Sequence, residues 1–433
     1  MEPWKPSSVG IVGLGYVGLP LAVGFAQAGL AVKGVEQNPE KVTRVNAGDS
    51  YIDDVTSGRL QVVVANGTLV ASTEFSALKG CDAVIVCVPT PLTVNKAPDV
   101  SYIESVSRAL ASYLHKGELI VLESTTYPGT TDEVMLPILE TSGLKAGVDF
   151  YLAFSPERVD PGNAHYNTLN TPKVVGGLDA ASTERACTLY ALVVPQVYPV
   201  SSCRAAEMTK LLENTFRLVN VSLINELAVL CEKMDMDIWE IIEAARTKPY
   251  GFMPFYPGPG IGGHCIPIDP FYLSWKAKEY DIDLAFVETA GKVNDAMPDY
   301  VVDKVAFALN SAGRAVRGAH VLVLGVAYKK DISDLRESPA LKVIDKLQKW
   351  GADVTYFDSH VPEARVAGKT LKSLPELDAN IVRDGDCVVI LTDHSSVDYG
   401  MVEANARLIV DTRNAIKHND RHVFRLGDGT DRR

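Results

Sequence analysis

Nowhere does the chain carry a run of about 18 or more uninterrupted apolar residues, so no transmembrane helix is expected. The most apolar stretch, Val9 to Leu30, is broken by Gly13, Gly15, Gly18 and Gly24, which suits a phosphate-binding turn better than a signal peptide. Positive charge is scarce as well. Lys and Arg total 42 against 54 Asp and Glu, a net −12, and a surface of that sign cannot neutralise a phosphate backbone; nucleic acid is not an expected partner. Cysteine is sparse and odd in number, seven in 433 residues, which excludes a disulfide framework and fits a reducing, cytoplasmic setting. The eight histidines include no H-E-x-x-H and the cysteines no C-x-x-C, so no metal is expected. Short-period repeats and low-complexity segments are absent too.

A chain of 433 residues with 47% hydrophobic and 22% charged residues exceeds one core, and two or three domains are expected. From Ser8 the order is a buried strand, a glycine turn, an apolar helix ending near Gly29 and a second strand, Ala31 to Glu36. Cys81 to Val88 and Glu118 to Leu122 are further strand-like runs, and Ile103 to Tyr113 has helical spacing. Ser201 to Met234 lacks Pro and Gly and is expected to be one long helix with Ser201 or Ser202 at its N-cap. A second alternating region begins at His320 to Gly325 and continues through Val354 to Phe357, Cys387 to Leu391 and Leu408 to Val410, with a frayed charged tail from Gly427 to Arg433. The expected fold class is α/β, two Rossmann-like doubly wound domains joined by a long central helix.

Gly13-Leu14-Gly15-Tyr16-Val17-Gly18 matches G-x-G-x-x-G between a strand and a helix, where backbone N–H groups can receive a pyrophosphate. Glu36, ending the second strand, can accept from adenine-ribose hydroxyls and would repel a 2′-phosphate, so NAD is favoured over NADP. Val88-Pro89-Thr90-Pro91 and Ser124-Thr125 follow two further strands, at the edge where such sheets bind ligands.

The other informative stretch is Gly258-Pro259-Gly260-Ile261-Gly262-Gly263-His264-Cys265, with Asp269 four residues on. Its glycines imply close backbone approach, and a thiol there is a candidate nucleophile with Asp269 as a base or its positioner. A lone Cys is more often a buried apolar residue. Glu207, Lys210 and Asn214, spaced i, i+3, i+7, share one helix face, and an ammonium with an amide could stabilise an oxyanion; a solvated Glu–Lys face is the bland alternative.

Together with Ser155-Pro156-Glu157-Arg158, Gly325-Val326-Ala327-Tyr328-Lys329-Lys330-Asp331, Arg336-Glu337-Ser338 and Asp411-Thr412-Arg413-Asn414, these motifs resemble the UDP-glucose/GDP-mannose dehydrogenase family over nearly the whole chain. The resemblance implies an NAD-binding Rossmann domain over 1–200, a central helical domain with the Cys loop over 201–300, and a C-terminal nucleotide-sugar-binding Rossmann-like domain over 301–433. It implies NAD-dependent, two-step oxidation of a sugar C6 hydroxymethyl to a uronic acid, in a homodimer or higher homo-oligomer. Cys265 would carry a thiohemiacetal and then a thioester. Lys210 and Asn214 would stabilise oxyanions, Asp269 and Thr125 would handle protons or water, and Glu157 would assist hydrolysis. Gly13, Gly15, Tyr16, Val17, Gly18, Glu36, Pro89, Thr90, Ser124, Thr125 and Arg336 would hold the cofactor. Glu157, Arg158, Lys210, Asn214, Phe255, Tyr256, Gly262, Lys329 and Arg413 would contact substrate.

Two departures separate the chain from UDP-glucose members: Ile268 replaces a Lys one residue before Asp269, and Pro161, beside Asp160, replaces a carboxylate. Glu157-Arg158-Val159-Asp160-Pro161-Gly162-Asn163 and Phe252-Met253-Pro254-Phe255-Tyr256-Pro257 look most like members acting on UDP-N-acetyl-glucosamine. The aromatic segment could line an acetamido pocket or anchor its own loop. UDP-glucose, dTDP-glucose, a single-oxidation hydroxyacid dehydrogenase and a catalytically silent nucleotide-sugar sensor are the alternatives.

Overall fold

The computed structural model describes residues 4–52, 54–93, 97–158, 165–417 and 420–429. Two compact units are present: Met1–Glu213 with Phe271–Ile282, and Asn214–Pro270 with Asp283–Arg433.

In the first unit the strands are β1 (Ser8–Val12), β2 (Ala31–Val35), β3 (Leu69–Ser72), β4 (Ala83–Val86), β5 (Leu119–Leu122), β6 (Tyr151–Phe154), β7 (Lys173–Gly177) and β8 (Val197–Val200). They form one sheet in the order β3-β2-β1-β4-β5-β6-β7-β8. Runs such as Ala83–Val86 and Leu119–Leu122 are apolar at every position and wholly buried, as strands covered on both faces must be. Ile11 packs with Leu21 and Phe25 on one face of the sheet, and Val12 with Val86 and Leu122 on the other. The chain leaves β1 towards β2 and returns on the opposite side as β4, so the switch point, where such sheets bind ligands, lies at the C-terminal ends of β1 and β4. All pairings are parallel except β6 with β7.

The second unit holds β9 (His320–Leu324), β10 (Asp353–Phe357), the hairpin strands β11 (Glu363–Val366) and β12 (Lys369–Lys372), then β13 (Cys387–Ile390), β14 (Ile409–Asp411) and β15 (Val423–Arg425). Its five-stranded sheet runs β10-β9-β13-β14-β15, entirely parallel. The observed class is thus α/β with two doubly wound, Rossmann-like regions.

The long helix spans Cys203–Lys233, 31 residues, and Ser202 caps it by accepting the Ala205 N–H at 3.2 Å. A second long helix, Ala285–Ser311, runs through residue 300 and contains Pro298. Within the tail expected to fray, Gly427 is held in place. Residues 430–433 lie outside the described residues, but Gly427 donates to Glu232 (2.8 Å) and accepts from Ile238 (2.9 Å), while the Trp239 indole donates to the Leu426 carbonyl (2.8 Å). Composition alone suggested a loose charged tail; the buried Glu232 carboxylate, paired with Lys304 at 2.8 Å, captures its first residue, Gly427. Among the described residues no helix is long and apolar enough to cross a membrane.

Candidate active site and cofactor cradle

The glycine turn after β1 is built for close approach. Gly13 has φ +89°, and a Cβ there would lie 2.2 Å from the Cys87 carbonyl oxygen; at Gly18 it would lie 1.8 Å from the Gly13 oxygen, where helix and strand cross. At Gly15 a Cβ would meet nothing within 4 Å, so open space lies over that backbone. Glu36 accepts the Leu14 N–H and the Asn38 N–H, both at 3.1 Å, which fixes its carboxylate at the end of β2. A cavity of about 380 Å³ lined by Gly15, Tyr16, Asn38, Lys41, Arg44 and Tyr51 adjoins the turn. These residues fit a dinucleotide: a cradle without Cβ atoms, a helix N-terminus for pyrophosphate, and a fixed carboxylate for ribose hydroxyls. Val17 lies at the helix start. Gly13→Ala adds roughly 1–3 kcal/mol of strain at such a backbone, and NAD affinity measured by titration calorimetry is expected to fall about ten-fold or more; unchanged affinity would contradict the cradle.

Beyond β4 and β5 the edge is tightly bonded. Ser124 accepts the Val88 N–H at 2.9 Å, the Thr90 hydroxyl donates to the Thr125 carbonyl, and the Tyr272 hydroxyl donates to the Thr90 carbonyl. Thr90 and Ser124 are buried and Pro89 is exposed. Glu157 lies just past β6, with Lys173 at 3.6 Å. Arg158 is held by Glu213 at 2.7 Å and donates to the Pro172 carbonyl at 2.8 Å. The segment Val159-Asp160-Pro161-Gly162-Asn163 lies outside the described residues.

The face of the long helix is not a solvated Glu–Lys face. Glu207 is fully buried and accepts from the Gly129 N–H (2.6 Å), the Thr131 N–H (2.9 Å) and the Thr131 hydroxyl (2.6 Å), so it braces the loop that follows Thr125. Lys210 is buried as well, and among the described residues it makes no ion pair.

Burial pushes the carboxyls of Glu118, Glu123 and Glu207 each up to about 7 from 4.5, and that of Asp411 up to about 6. Such groups hold their protons more tightly folded than unfolded. Between about pH 4.5 and 7 the folded state therefore binds more protons, and stability falls as pH rises through that window. The urea midpoint is expected to be higher at about pH 5.5 than at about pH 7.5; the opposite order would contradict these assignments.

In the second unit the glycine loop is anchored by groups that its own sequence does not reveal. Asn225, on the long helix, accepts the Gly258 N–H at 2.9 Å; Asn294 accepts the Ile261 N–H at 2.6 Å; and the Arg336 carbonyl accepts the Gly263 N–H at 2.8 Å. What the loop approaches closely is also visible. A Cβ at Gly258 would lie 2.7 Å from the Arg413 guanidinium, and at Gly262 2.5 Å from Tyr328 Cβ. Cys265 ends this loop. The Ile268 and Asp269 N–H groups donate to its carbonyl at 3.1 and 2.8 Å, forming the turn that leads into the helix Asp269–Ala277. Cys265 is the one exposed cysteine of the seven, so the buried-thiol alternative fails for it. Asp269 is buried and accepts a hydrogen bond from the Asn214 amide. The expected oxyanion donor Asn214 thus has one amide hydrogen on Asp269.

A cavity of about 550 Å³ is lined by Trp239, Glu243, Tyr256, Asp393, Arg413 and Lys417, among others. Tyr256 stacks on Trp239 at 6.0 Å and donates to Glu243 at 2.6 Å, whereas Phe255 packs edge-on against Phe216 at 5.7 Å. Phe255 thus packs within the loop's surroundings, as the anchoring alternative expects, while Tyr256 lines the cavity. Arg413 donates to the Leu391 carbonyl at 2.8 Å. Lys329 is half-buried in the loop after β9, and Arg336 pairs with Asp334 at 2.6 Å. Asp331, His360 and His394 offer ligand atoms within 4.8 Å of one another. Both His394 nitrogens are engaged, Nδ1 by the Asp331 N–H and Nε2 by Asp358, each at 3.0 Å, which ties together the loops after β9, β10 and β13.

Residues 7–194, 204–296 and 322–418 match, in turn, the NAD binding, central and UDP binding domains of the UDP-glucose/GDP-mannose dehydrogenase family. The chain belongs to that family. It is 36% identical over 415 residues to the UDP-N-acetyl-D-mannosamine dehydrogenase of Pyrococcus horikoshii, covering 94% of this chain and 96% of that one. To the UDP-N-acetyl-D-glucosamine 6-dehydrogenase of Pseudomonas aeruginosa it is 35% identical over 359 residues, 82% of this chain and 84% of the relative. The solved structure of the Pyrococcus horikoshii UDP-D-ManNAc dehydrogenase superposes with a TM-score of 0.89 at 34% identity, covering 98% of this chain and all of that one. The protein is accordingly an NAD-dependent nucleotide-sugar 6-dehydrogenase.

Proposed function

We propose that the protein oxidises the C6 hydroxymethyl of UDP-N-acetyl-glucosamine to the carboxylate of UDP-N-acetyl-glucosaminuronate, a four-electron reaction in two steps. The observation that carries this reading is the exposed Cys265 one turn ahead of a buried Asp269 that Asn214 holds. NAD, when bound, supplies a hydride acceptor, one molecule for each of the two oxidations. Once the alcohol has become an aldehyde, the Cys265 sulfur adds to its carbon and the oxygen takes up a proton, giving a thiohemiacetal. That adduct restores a tetrahedral carbon from which a second hydride can leave, and a thioester results. Lys210 and the second Asn214 amide hydrogen stabilise the oxyanions; a buried ammonium with no carboxylate partner among the described residues suits a charge that appears with the substrate. Asp269 and Thr125 handle the protons, and Glu157 activates the water that releases the product.

Arg413, Tyr256, Lys329 and Gly262 hold the nucleotide sugar in this reading, with Arg158 and Phe255 shaping the sugar end and Arg336 reaching the cofactor. In this reading the NAD, central and nucleotide-sugar-binding functions fall to 1–200, 201–300 and 301–433. Met208, Leu212, Phe216, Leu223 and Leu230 are exposed along the long helix and support a homodimer through it. A cytoplasmic setting keeps Cys265 a thiol. The mannosamine epimer is the second reading, favoured by the Pyrococcus horikoshii relative. A panel of UDP-N-acetyl-glucosamine, UDP-N-acetyl-mannosamine, UDP-glucose and dTDP-glucose, read by NADH formation, decides between them. The glucosamine nucleotide is expected to show the highest kcat/KM, and a faster mannosamine nucleotide would overturn the choice of sugar.

A further inference from the structure

The one antiparallel pairing in the first sheet delivers a lysine to its ligand edge. β7 runs against β6 with Phe154 opposite Gly176 and Ala153 opposite Gly177. Continued outward, that register sets Lys173, the first residue of β7, opposite Glu157. The Lys173 ammonium is buried, lies 3.6 Å from Glu157, and donates to Glu123 at the end of β5. Glu123 also accepts the hydroxyl of the buried Tyr190. Three strand ends and one helix thus converge on one buried cation between the buried Glu123 and the partly exposed Glu157 carboxylates. Buried ion pairs seldom stabilise a fold more than apolar packing of the same volume, so their presence at a reacting edge asks for another explanation. The neighbouring groups that bear on this charge are the partly buried Cys87, whose thiol desolvation pushes up, and the buried Tyr190, whose phenol is raised for the same reason.

We infer that Lys173, itself braced by Glu123 and Tyr190, is the positioning residue that aims the Glu157 carboxylate at the hydrolytic water. The inference rests on the role proposed for Glu157. In that step water oxygen bonds to the thioester carbon while one water proton passes to the Glu157 carboxylate. The C–S bond breaks with its electrons on Cys265 sulfur, and the acid leaves. Lys173 gives up no proton; it supplies a fixed charge 3.6 Å from one Glu157 oxygen that orients the carboxylate. A neutral side chain in its place removes the aim without touching the steps that form the thioester.

The test is rapid mixing of Lys173→Met with NAD and the sugar nucleotide that the wild type turns over, followed by acid quench and intact-mass measurement. A burst of NADH within about three-fold of the wild-type rate is expected, then turnover slowed about ten-fold or more, with a covalent sugar adduct accumulating on the enzyme. Lys173→Arg should restore turnover to within about three-fold, because an Arg fork can span both carboxylates. If Lys173→Met does not fold, Lys173→Gln takes its place with the same expectation. A burst that slows together with turnover and leaves no adduct would overturn the inference, for that is what mere loss of structure does. Glu157→Gln keeps the two claims apart. An adduct in Glu157→Gln but not in the Lys173 variants sinks the role of Lys173 alone, and none in either sinks the role of Glu157 as well.

Discussion

Cys265→Ser is expected to abolish uronate formation, by at least about 10³-fold in kcat, while NAD and nucleotide-sugar affinities stay within about three-fold of wild type. The side chain is exposed at the end of a loop whose backbone is held by Asn225, Asn294 and Arg336. Those three anchors hold backbone N–H groups of the loop, so the substitution should leave the loop in place. Serine is close in size but a far weaker nucleophile near neutral pH, and without the sulfur adduct an aldehyde has no tetrahedral carbon from which to lose a second hydride. Any NADH that the variant forms should therefore stop at about one per sugar. Liquid chromatography of the products, beside calorimetry for the two ligands, checks both halves.

Lys210→Ala carries the second largest expected effect, about 10²- to 10³-fold in kcat with NAD affinity unchanged. Lys210 is buried on the long helix, and its neighbour one turn back, Glu207, is fully occupied by Gly129 and Thr131. Among the described residues the ammonium makes no ion pair, and its removal should be felt where negative charge develops on the substrate oxygen. Measured NAD dissociation constants beside single-turnover rates separate the possibilities; a fall in NAD binding as large as the fall in turnover would remove Lys210 from the oxyanion role.

Much of this was legible in the chain. Glycines at fixed spacing between an apolar strand and an apolar helix, and a stretch without Pro or Gly after Ser202, encode their structures locally, and β1, the first helix and the long helix fall where local pattern places them. Strands β7, β8 and β15 were not legible. β7 opens on a lysine that reads as a surface residue until Glu123 and Glu157 are brought to it; β8 is an edge strand with an exposed Tyr198 and a proline; and β15 has three residues, too few for a period to show. The site shows the same division. Cys265, Asp269 and the glycines announce themselves by residue type and spacing, whereas Asn225, Asn294 and Lys173 act on partners far away in sequence and carry no local signature. Glu207 stood in the right motif for another reason: it braces the Gly129–Thr131 turn.

The amount of NADH formed per nucleotide sugar consumed by the wild-type enzyme is the most direct test of four-electron oxidation through Cys265. About two are predicted, with a uronate as the product, falling to one or none in Cys265→Ser. A yield of about one, with an aldehyde or ketone as product and no change in Cys265→Ser, would contradict it.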